Sequence, residues 1–257
     1  MIIVFSGTGN SMLVARELQK HIGGDITVAE GDLLLAPARH VIEVPEGENV
    51  VWVMPVYSWG LPPVMSAFMR RVKMKGGHEV SHFLVLTCGD DIGYADSEWR
   101  RLAGRRGWNP RGAFSVTMPN TYVCMKGFDV DSAEVAAGKL SAMPGRVEAI
   151  AGAMRRRFSE SDVVRGSWAW VKTNVVYPYF DRFCMSPRPF ATTGGCTSCG
   201  LCARSCPMEN IAMSNGRPEW GRRCALCLRC YHICPSHAVA YGTHTAGKGQ
   251  KRVCLGK

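Results

Sequence analysis

Short apolar runs alternate with longer amphipathic stretches through the first half of the chain. Runs of four to seven mostly apolar residues, without a two-residue alternation, are typical of strands buried on both faces. A fifth, weaker strand fits residues 40–44 or 26–29, and the pattern does not choose between them. The four clear strands are predicted over residues 2–5, 50–56, 83–87 and 113–118.

Helical spacing appears between these runs. Val14, Leu18 and Ile22 recur on one face of a predicted helix, and apolar residues recur in the same way over residues 147–158. An alternation of strands and helices implies a parallel sheet that carries helices on both faces. The first half of the chain is therefore predicted to be a doubly wound α/β unit.

One segment raises the question of a membrane span. No charged residue lies between Asn49 and Met69, which meets the criterion of roughly 18 residues for a membrane-spanning helix. Gly60 and several prolines would break such a helix in its middle. We predict a buried strand, a loop and a helix over residues 63–72 instead, and no membrane span.

The second half of the chain is rich in cysteine. Eight of the 12 cysteines lie between Cys196 and Cys234, where they form the pattern CxxCxxCxxxCP twice. Three thiolates on one tight loop suit three corners of an iron-sulfur cube, and a fourth ligand must come from elsewhere. Structural zinc uses two separated CxxC pairs per ion and needs neither the third cysteine nor the proline. The spacing therefore favours iron-sulfur clusters over zinc.

The repeated pattern resembles that of the two-cluster bacterial ferredoxins, in which the fourth cysteine of each run ligates the cluster of the other run. The resemblance implies a small α+β domain with two 4Fe-4S clusters. One cluster would be held by Cys196, Cys199, Cys202 and Cys234, and the other by Cys224, Cys227, Cys230 and Cys206.

Charge divides the chain at nearly the same place. Residues 1–150 carry 15 basic and 16 acidic side chains, whereas residues 151–257 carry 16 basic and 5 acidic ones, a net charge of +11. Two clusters with their thiolates would bring about −4. No nucleic-acid recognition motif is visible, so we expect the remaining excess to dock an acidic redox partner protein. The basic residues concerned are Arg204, Arg217, Arg222, Arg223, Arg229, Lys248, Lys251 and Arg252.

A glycine-rich loop follows the first predicted strand and precedes a helix, which is the arrangement of a phosphate site. The P-loop motif GxxxxGK[ST] is absent. A dinucleotide fingerprint lacks its third glycine, because Met12 stands there, although Glu30 and Asp32 lie near the distance expected of a ribose ligand. A terminal phosphate suits the loop's hydroxyl groups better. Its residues are Ser6, Gly7, Thr8, Gly9, Asn10 and Ser11.

The segment FSGTGNS resembles the FMN-phosphate loop of the flavodoxin family. That resemblance implies a flavodoxin-like sheet of strand order 2-1-3-4-5, with FMN bound at the carboxyl ends of its strands. The next two loops would then contact the flavin, and residues 118–122 after the fifth strand would line either the flavin site or the domain interface. The candidate flavin contacts are Pro55, Val56, Tyr57, Ser58, Trp59, Gly60, Thr87, Cys88, Gly89 and Tyr94. Cys88, Cys124, Cys184 and Cys254 are interpreted as inert thiols.

Together the two halves resemble the EFR1-type ferredoxins, which are fusions of a flavodoxin-like and a ferredoxin domain. We expect a flavodoxin-like FMN-binding domain over residues 1–158, a two-cluster ferredoxin domain over 190–244 and a basic tail over 245–257. Between them, residues 159–189 are expected to form an aromatic-rich helix and linker that covers the meeting of the domains. The chain opens on a strand-like segment without a signal-peptide pattern, so a reducing cytoplasm is expected.

The function expected from this combination is electron transfer between the clusters, FMN and a redox partner, because a flavin accepts electrons singly or in pairs and each cube passes one. Two alternatives remain open. The first alternative is an FMN-dependent reductase of a quinone or similar small oxidant, fed by its own ferredoxin domain. The second is a non-redox binding module whose flavodoxin-like half is empty.

Overall fold

The computed structural model describes residues 1–251, so Arg252, Cys254 and the end of the basic tail lie outside the described residues. The strands are β1 (Ile2–Val4), β2 (Ile26–Val28), β3 (Val41–Glu43), β4 (Val50–Pro55), β5 (Lys73–Lys75), β6 (Ser81–Cys88), β7 (Asn109–Thr117), β8 (Ser161–Asp162), β9 (Phe190–Thr192), β10 (Ile211–Ser214), β11 (Arg217–Trp220) and β12 (Val239–Tyr241). The helices are α1 (Asn10–Ile22), α2 (Gly31–Leu35), α3 (Pro63–Arg71), α4 (Ala95–Arg105), α5 (Ala133–Arg155), α6 (Ala169–Val171), α7 (Tyr177–Tyr179), α8 (Leu201–Arg204) and α9 (Arg229–Ile233), with a short 3-10 turn at Pro37–Arg39.

Six parallel strands form the central sheet in the order β2-β1-β4-β6-β7-β8. Its first five strands have the order 2-1-3-4-5, which confirms the predicted flavodoxin-like fold class. Helices α1 and α5 pack on one face, where Val14, Leu18 and Val147 join the core. Helices α3 and α4 pack on the other face through Phe68 and Trp99. The four inner strands β1, β4, β6 and β7 are largely buried, as their continuous apolar runs predict.

Of the two candidate segments for the fifth strand, residues 26–29 contain the one that joins the main sheet. Strand β2 pairs with β1 at the edge of the main sheet, whereas β3 pairs with β5 in a separate two-stranded ribbon. Strand β8 extends the sheet beyond the five expected strands and lies after residue 158. The segment 49–69 forms β4, a loop and most of α3. Within residues 1–251, no helix combines the length and the apolar character that a membrane crossing needs.

A continuous helix of mixed α and π turns connects the two halves, and we call residues 169–184 the linker helix. Its π turns are Lys172–Val176 and Phe180–Cys184. The aromatic residues of this segment divide between two faces. Phe180 is buried against the ferredoxin half, but Trp168, Trp170, Tyr179 and Phe183 are exposed. Phe180 thus packs against the ferredoxin half, and the expectation that the whole segment covers the meeting of the domains stays a prediction.

The ferredoxin half is a small α+β unit. Strands β9 and β12 pair antiparallel, as do β10 and β11, and the short helices α8 and α9 each begin inside one cysteine run. Its core contains Phe190, Tyr231 and Tyr241 together with the predicted cluster ligands Cys202 and Cys230. Cys124 of the flavodoxin-like half joins the same core.

Candidate functional site

The eight predicted cluster cysteines surround two cavities. The outer cavity is lined by Cys196, Cys199, Cys202 and Cys234, and the inner cavity by Cys206, Cys224, Cys227 and Cys230. Each set takes three cysteines from one run and the last from the other, as the ferredoxin resemblance implies. Four thiols around one cavity suit a cube with an iron at each of four corners. Cluster ligation by these residues stays a prediction.

Backbone amides donate to sulfur at both cavities. Asn210 N donates to Cys206 Sγ at 3.4 Å, and Ala238 N donates to Cys234 Sγ at 3.3 Å. Each donor lies four residues after the last cysteine of its run, so the two halves of the repeat are built alike. Such bonds stabilise negative charge on sulfur and raise the reduction potential of a bound cluster.

The two cavities differ in their exposure to solvent. Cys199 of the outer cavity is exposed, whereas each of the four cysteines of the inner cavity is buried or half-buried. The outer cavity is therefore the one accessible to another protein. The inner cavity faces the flavodoxin-like half.

A third cavity, of about 440 Å³, opens at the carboxyl ends of β1, β4, β6 and β7. This is the edge of the sheet where open α/β folds bind ligands, and the volume lies within the usual range of roughly 300–1,000 Å³ for ligand pockets. We call it the flavin cavity. Thirteen of the 16 predicted flavin contacts line it: Ser6, Gly7, Thr8, Asn10, Ser11, Pro55, Val56, Tyr57, Ser58, Trp59, Thr87, Cys88 and Gly89.

Gly9, Gly60 and Tyr94 do not line the flavin cavity. Gly9 precedes α1 with φ of 102°, a conformation that favours glycine. The Gly60 amide and carbonyl both bond to Tyr57, and a methyl group at Gly60 would lie 2.4 Å from the Tyr177 ring. The Tyr94 ring packs 4.5 Å below the Arg165 guanidinium. These three residues shape the loops around the cavity.

The phosphate loop leaves donors free for a ligand. Ser6 Oγ accepts hydrogen bonds from Gly9 N and Met12 N, which closes the loop before α1. The amides of Gly7 and Thr8 donate to no group within residues 1–251. Unpaired backbone amides in a cavity at a helix N-terminus are donors for a phosphate. The chemistry of the loop therefore fits the terminal phosphate of FMN.

A buried acceptor adds to this fit. The side chain of Asn10 donates to Pro119 O at 2.8 Å. Its oxygen Oδ1 is buried without a hydrogen-bond partner within the described residues, which makes it available to a ligand hydroxyl. The residues present thus fit both the phosphate and the polyhydroxyl chain of FMN.

The linker helix closes one side of the flavin cavity through contacts with two loops. Thr173 Oγ1 donates to Trp59 O at 2.9 Å and accepts from Tyr94 N at 2.8 Å. Lys172 Nζ pairs with Asp91 at 2.7 Å and lies 5.0 Å from the centre of the Trp59 ring. These contacts join the helix to both loops that follow β4 and β6.

Sequence reasoning missed the wall formed by the linker helix and the second cysteine run, and it also missed Met125 and Phe128 of the flavodoxin-like half. Residues 118–122 were expected at this site or at the interface, and they do line the cavity. The linker helix and the second cysteine run contain no sequence motif for flavin binding, since they lie outside the flavodoxin-like half. The density of aromatics in the linker was the one available clue. The missed residues are Met125, Phe128, Val176, Tyr179, Phe180, Cys184, Leu226, Cys227 and Leu228.

The flavin cavity and the inner cysteine cavity share a wall. Cys227 and Leu228 line both cavities. A methyl group at Gly7 would lie 2.6 Å from Cys227 O, so the phosphate loop touches the cysteine run directly. Burial, and then the charges of Cys227 and Cys224, raise the pKa of Tyr57 well above its usual value. Tyr57 is thus a neutral side chain between the two cavities.

Two residues considered from sequence have other roles. Burial and the neighbouring Asp91 and Asp90 raise the pKa of the Cys88 thiol to about 12, which keeps it protonated and inert as a nucleophile. The Glu30 carboxylate, considered as a ribose ligand, pairs with Arg229 at 3.0 Å and does not line the flavin cavity.

Comparisons with known proteins give one family-model match and two similar solved structures. No curated protein sequence matches it. The Trp repressor binding protein from Bacillus subtilis has a similar structure, with a TM-score of 0.36, 11% identity, and coverage of 57% of this chain and 97% of that one. A Streptococcus pneumoniae TIGR4 flavodoxin has a TM-score of 0.31, 16% identity, and coverage of 58% and 97%. Residues 195–239 match the family model of the 4Fe-4S dicluster domain. The cysteine-rich part of the chain is therefore similar to the 4Fe-4S dicluster domain, and it follows a parallel sheet with the flavodoxin-like strand order.

Proposed function

We propose that this protein passes single electrons between two 4Fe-4S clusters and FMN, and exchanges them with a redox partner protein. The proposal includes an EFR1-type architecture and FMN as the occupant of the flavin cavity. The single observation that carries it is the shared wall, since Cys227 and Leu228 line both the inner cysteine cavity and the flavin cavity. A cluster held by Cys227 would therefore have a ligand that also lines the cavity proposed for the flavin.

The order of the three sites supports a linear path. The outer cavity has the exposed Cys199, the inner cavity lies behind it, and the flavin cavity lies beyond the shared wall. Electrons would therefore enter or leave at the outer cluster. FMN would be the other terminal of the path.

The outer cavity also carries the basic groups expected of a docking site. Arg204 donates to Cys199 O at 2.9 Å, and Arg217 donates to Thr193 O at 3.2 Å. Both side chains are exposed beside the outer cavity. This arrangement suits an acidic redox partner that approaches the outer cluster.

A bound flavin would supply the exchange between single electrons and electron pairs, whereas each cube handles one electron. The residues of the chain bind and orient these groups. The free amides of the phosphate loop would bind the phosphate, and the linker helix would exclude water from one side of the cavity. The amide-to-sulfur bonds would adjust the potentials of bound clusters.

The test is anaerobic purification with iron, sulfide and flavin quantified on one sample, followed by stepwise reduction. The proposal expects about eight irons and one FMN per chain, with flavin and clusters reduced in one connected titration. A protein that contains iron but no flavin would contradict FMN as the ligand of the flavin cavity. If the flavin stayed oxidised while a one-electron donor reduced both clusters, electron transfer from the clusters to FMN would be contradicted.

Two cysteine variants test the ligand sets. Cys206→Ala should disturb the inner cluster and leave the outer one, whereas Cys234→Ala should do the reverse. Paramagnetic resonance of the reduced proteins distinguishes the two clusters when one is lost. Two intact clusters in either variant would contradict the ligation scheme.

A further inference from the structure

Arg229 connects the phosphate loop to the second cysteine run. Its side chain is 10% exposed, and its guanidinium donates to Gly7 O at 2.8 Å and to Ser6 O. The same group donates to Ser205 O at 2.8 Å and pairs with Glu30 at 3.0 Å. A buried arginine with all these partners is strongly held, because hydrogen bonds from a charged group are the strong ones.

The bonds to Ser6 and Gly7 set the direction of the loop's amides. In a trans peptide the carbonyl and the following amide point in opposite directions. When Arg229 binds the carbonyls of Ser6 and Gly7, the amides of Gly7 and Thr8 therefore point away from it. These are the amides that donate to no group within residues 1–251 and that belong to the lining of the flavin cavity. Arg229 thus orients the donors for a phosphate without touching the phosphate.

The position of Arg229 depends in turn on the inner cysteine cavity. It lies two residues after Cys227 and directly before Cys230, and both cysteines line that cavity. Binding of a metal centre folds the loop that carries its ligands. The outer cavity, in contrast, shares no lining residue with the flavin cavity.

We propose that Arg229 is a positioning residue that makes the FMN affinity depend on the inner cluster and leaves it independent of the outer cluster. This inference rests on the proposed function, since it takes FMN as the ligand of the flavin cavity. It adds an order of assembly, in which the inner cluster is loaded before FMN is bound tightly.

The experiment measures the dissociation constant of FMN by its fluorescence, under anaerobic conditions and with iron content recorded for each protein. Arg229→Gln and Cys224→Ala should each weaken FMN binding at least tenfold, equivalent to about 1.4 kcal/mol. Cys199→Ala, which removes a ligand of the outer cluster, should change it less than twofold. The matched control is Arg217→Gln, an exposed arginine of the same domain whose backbone contact is with Thr193.

Two further readouts distinguish positioning from a general loss of structure. The variant Arg229→Gln combined with Cys224→Ala should weaken FMN binding by less than the product of the single effects, because both act through one contact. Arg229→Lys keeps the charge but loses the forked geometry. It should therefore weaken FMN binding while leaving the inner cluster's reduction potential near that of the unaltered protein, whereas Arg229→Gln should lower that potential.

Wild-type FMN affinity in Arg229→Gln with full iron content would overturn the inference and leave the proposed function standing. An equal loss of FMN in Cys199→Ala and Cys224→Ala would overturn it as well. Absence of FMN binding by the unaltered, fully loaded protein would overturn the proposed function and this inference together.

Discussion

At the scale of single residues, Gly7 determines how closely the phosphate loop approaches the second cysteine run. A methyl group there would meet Cys227 O at 2.6 Å and Cys227 Cβ at 2.8 Å. Neither atom belongs to a flexible side-chain end, so the two segments must move apart. We expect Gly7→Ala to cost about 1–3 kcal/mol of unfolding free energy and to weaken FMN binding.

The control for this substitution is Gly138→Ala. Gly138 lies within α5, and a methyl group there would have no atom within 4 Å. Alanine is the better helix former, by about 1 kcal/mol, so this variant should be slightly stabilised. Denaturant unfolding and FMN titration of both proteins check the prediction, which an unaltered Gly7→Ala variant would refute.

His82 gives the flavodoxin-like half a pH-dependent stability. It is fully buried, with its ring stacked on Trp108 and lying beside Trp52. It accepts a hydrogen bond from Trp52 Nε1 at Nδ1 and donates from Nε2 to Gly77 O. Burial lowers its pKa from 6.5 to about 4. The unfolded chain therefore binds the proton more readily, and stability is lost as the pH falls from about 6.5 towards 4.

We expect His82 to remove about 1 kcal/mol of unfolding free energy between pH 7.5 and 5.5. His82→Gln should flatten the pH dependence over this interval, since glutamine does not titrate. Burial also lowers the pKa of His232 to about 4, but His232 is present in both proteins and contributes equally. Parallel pH profiles for wild type and His82→Gln would contradict the prediction, and His244→Gln, at an exposed position, serves as the control.

At the scale of elements, the linker helix holds two loops of the flavin cavity through one hydroxyl group. Thr173→Val keeps the shape of the side chain but removes the bonds to Trp59 O and from Tyr94 N. Loss of these bonds, with a partly buried amide left unpaired, should cost about 1–3 kcal/mol. Faster amide hydrogen exchange in both loops and faster FMN release should accompany it.

The neighbouring Asn174 offers a matched control. Its side chain is exposed and donates to Trp170 O within the same helix. Asn174→Ala should leave the exchange of both loops unchanged. The interpretation of Thr173 would be wrong if its variant behaved in the same way as this control.

The elements also show how far sequence reasoning reaches. Strands β1, β4, β6 and β7 were predicted because their apolar runs are buried on both faces, a property that the sequence displays directly. Strand β8 was not predicted because its two residues, Ser161–Asp162, are polar and pair only at the sheet edge. Its position in the sheet depends on tertiary contacts, which a local sequence pattern does not contain.

The site shows the same division. The phosphate loop and both cysteine runs were predicted because their chemistry requires particular residues at fixed spacing. The orientation of the linker helix was not, since aromatic residues occupy both its buried and its exposed faces, as with Phe180 and Phe183. Tyr94 was assigned to the flavin on loop position alone, and the structure places its ring under Arg165 instead.

At the scale of the whole molecule, the exposed Arg204 and Arg217 lie beside the outer cavity, whereas Arg229, also expected to dock a partner, is buried against the phosphate loop. We expect electron release from the reduced protein to the Fe(III)-EDTA anion to slow as salt is added, and release to the hexaammineruthenium(III) cation to accelerate. Exchanging Arg204 and Arg217 for glutamate should reverse both trends. Stopped-flow oxidation at several ionic strengths measures them.

The control for the charge change is Arg105→Glu, at an exposed position on α4. It alters the net charge by the same amount per residue but lies in the flavodoxin-like half. If it affected the two oxidants as strongly as the Arg204 and Arg217 changes do, the basic surface of the ferredoxin half would have no special part in docking.

The wall formed by Cys227 and Leu228 has a consequence for how this chain changes over generations. Because one pair of residues lines two cavities, a substitution that reshapes one cavity also reshapes the other. We therefore expect the two halves to change together and not to be exchanged as separate modules. A chimera that exchanges halves between relatives should work only when the phosphate loop and the second cysteine run come from the same parent.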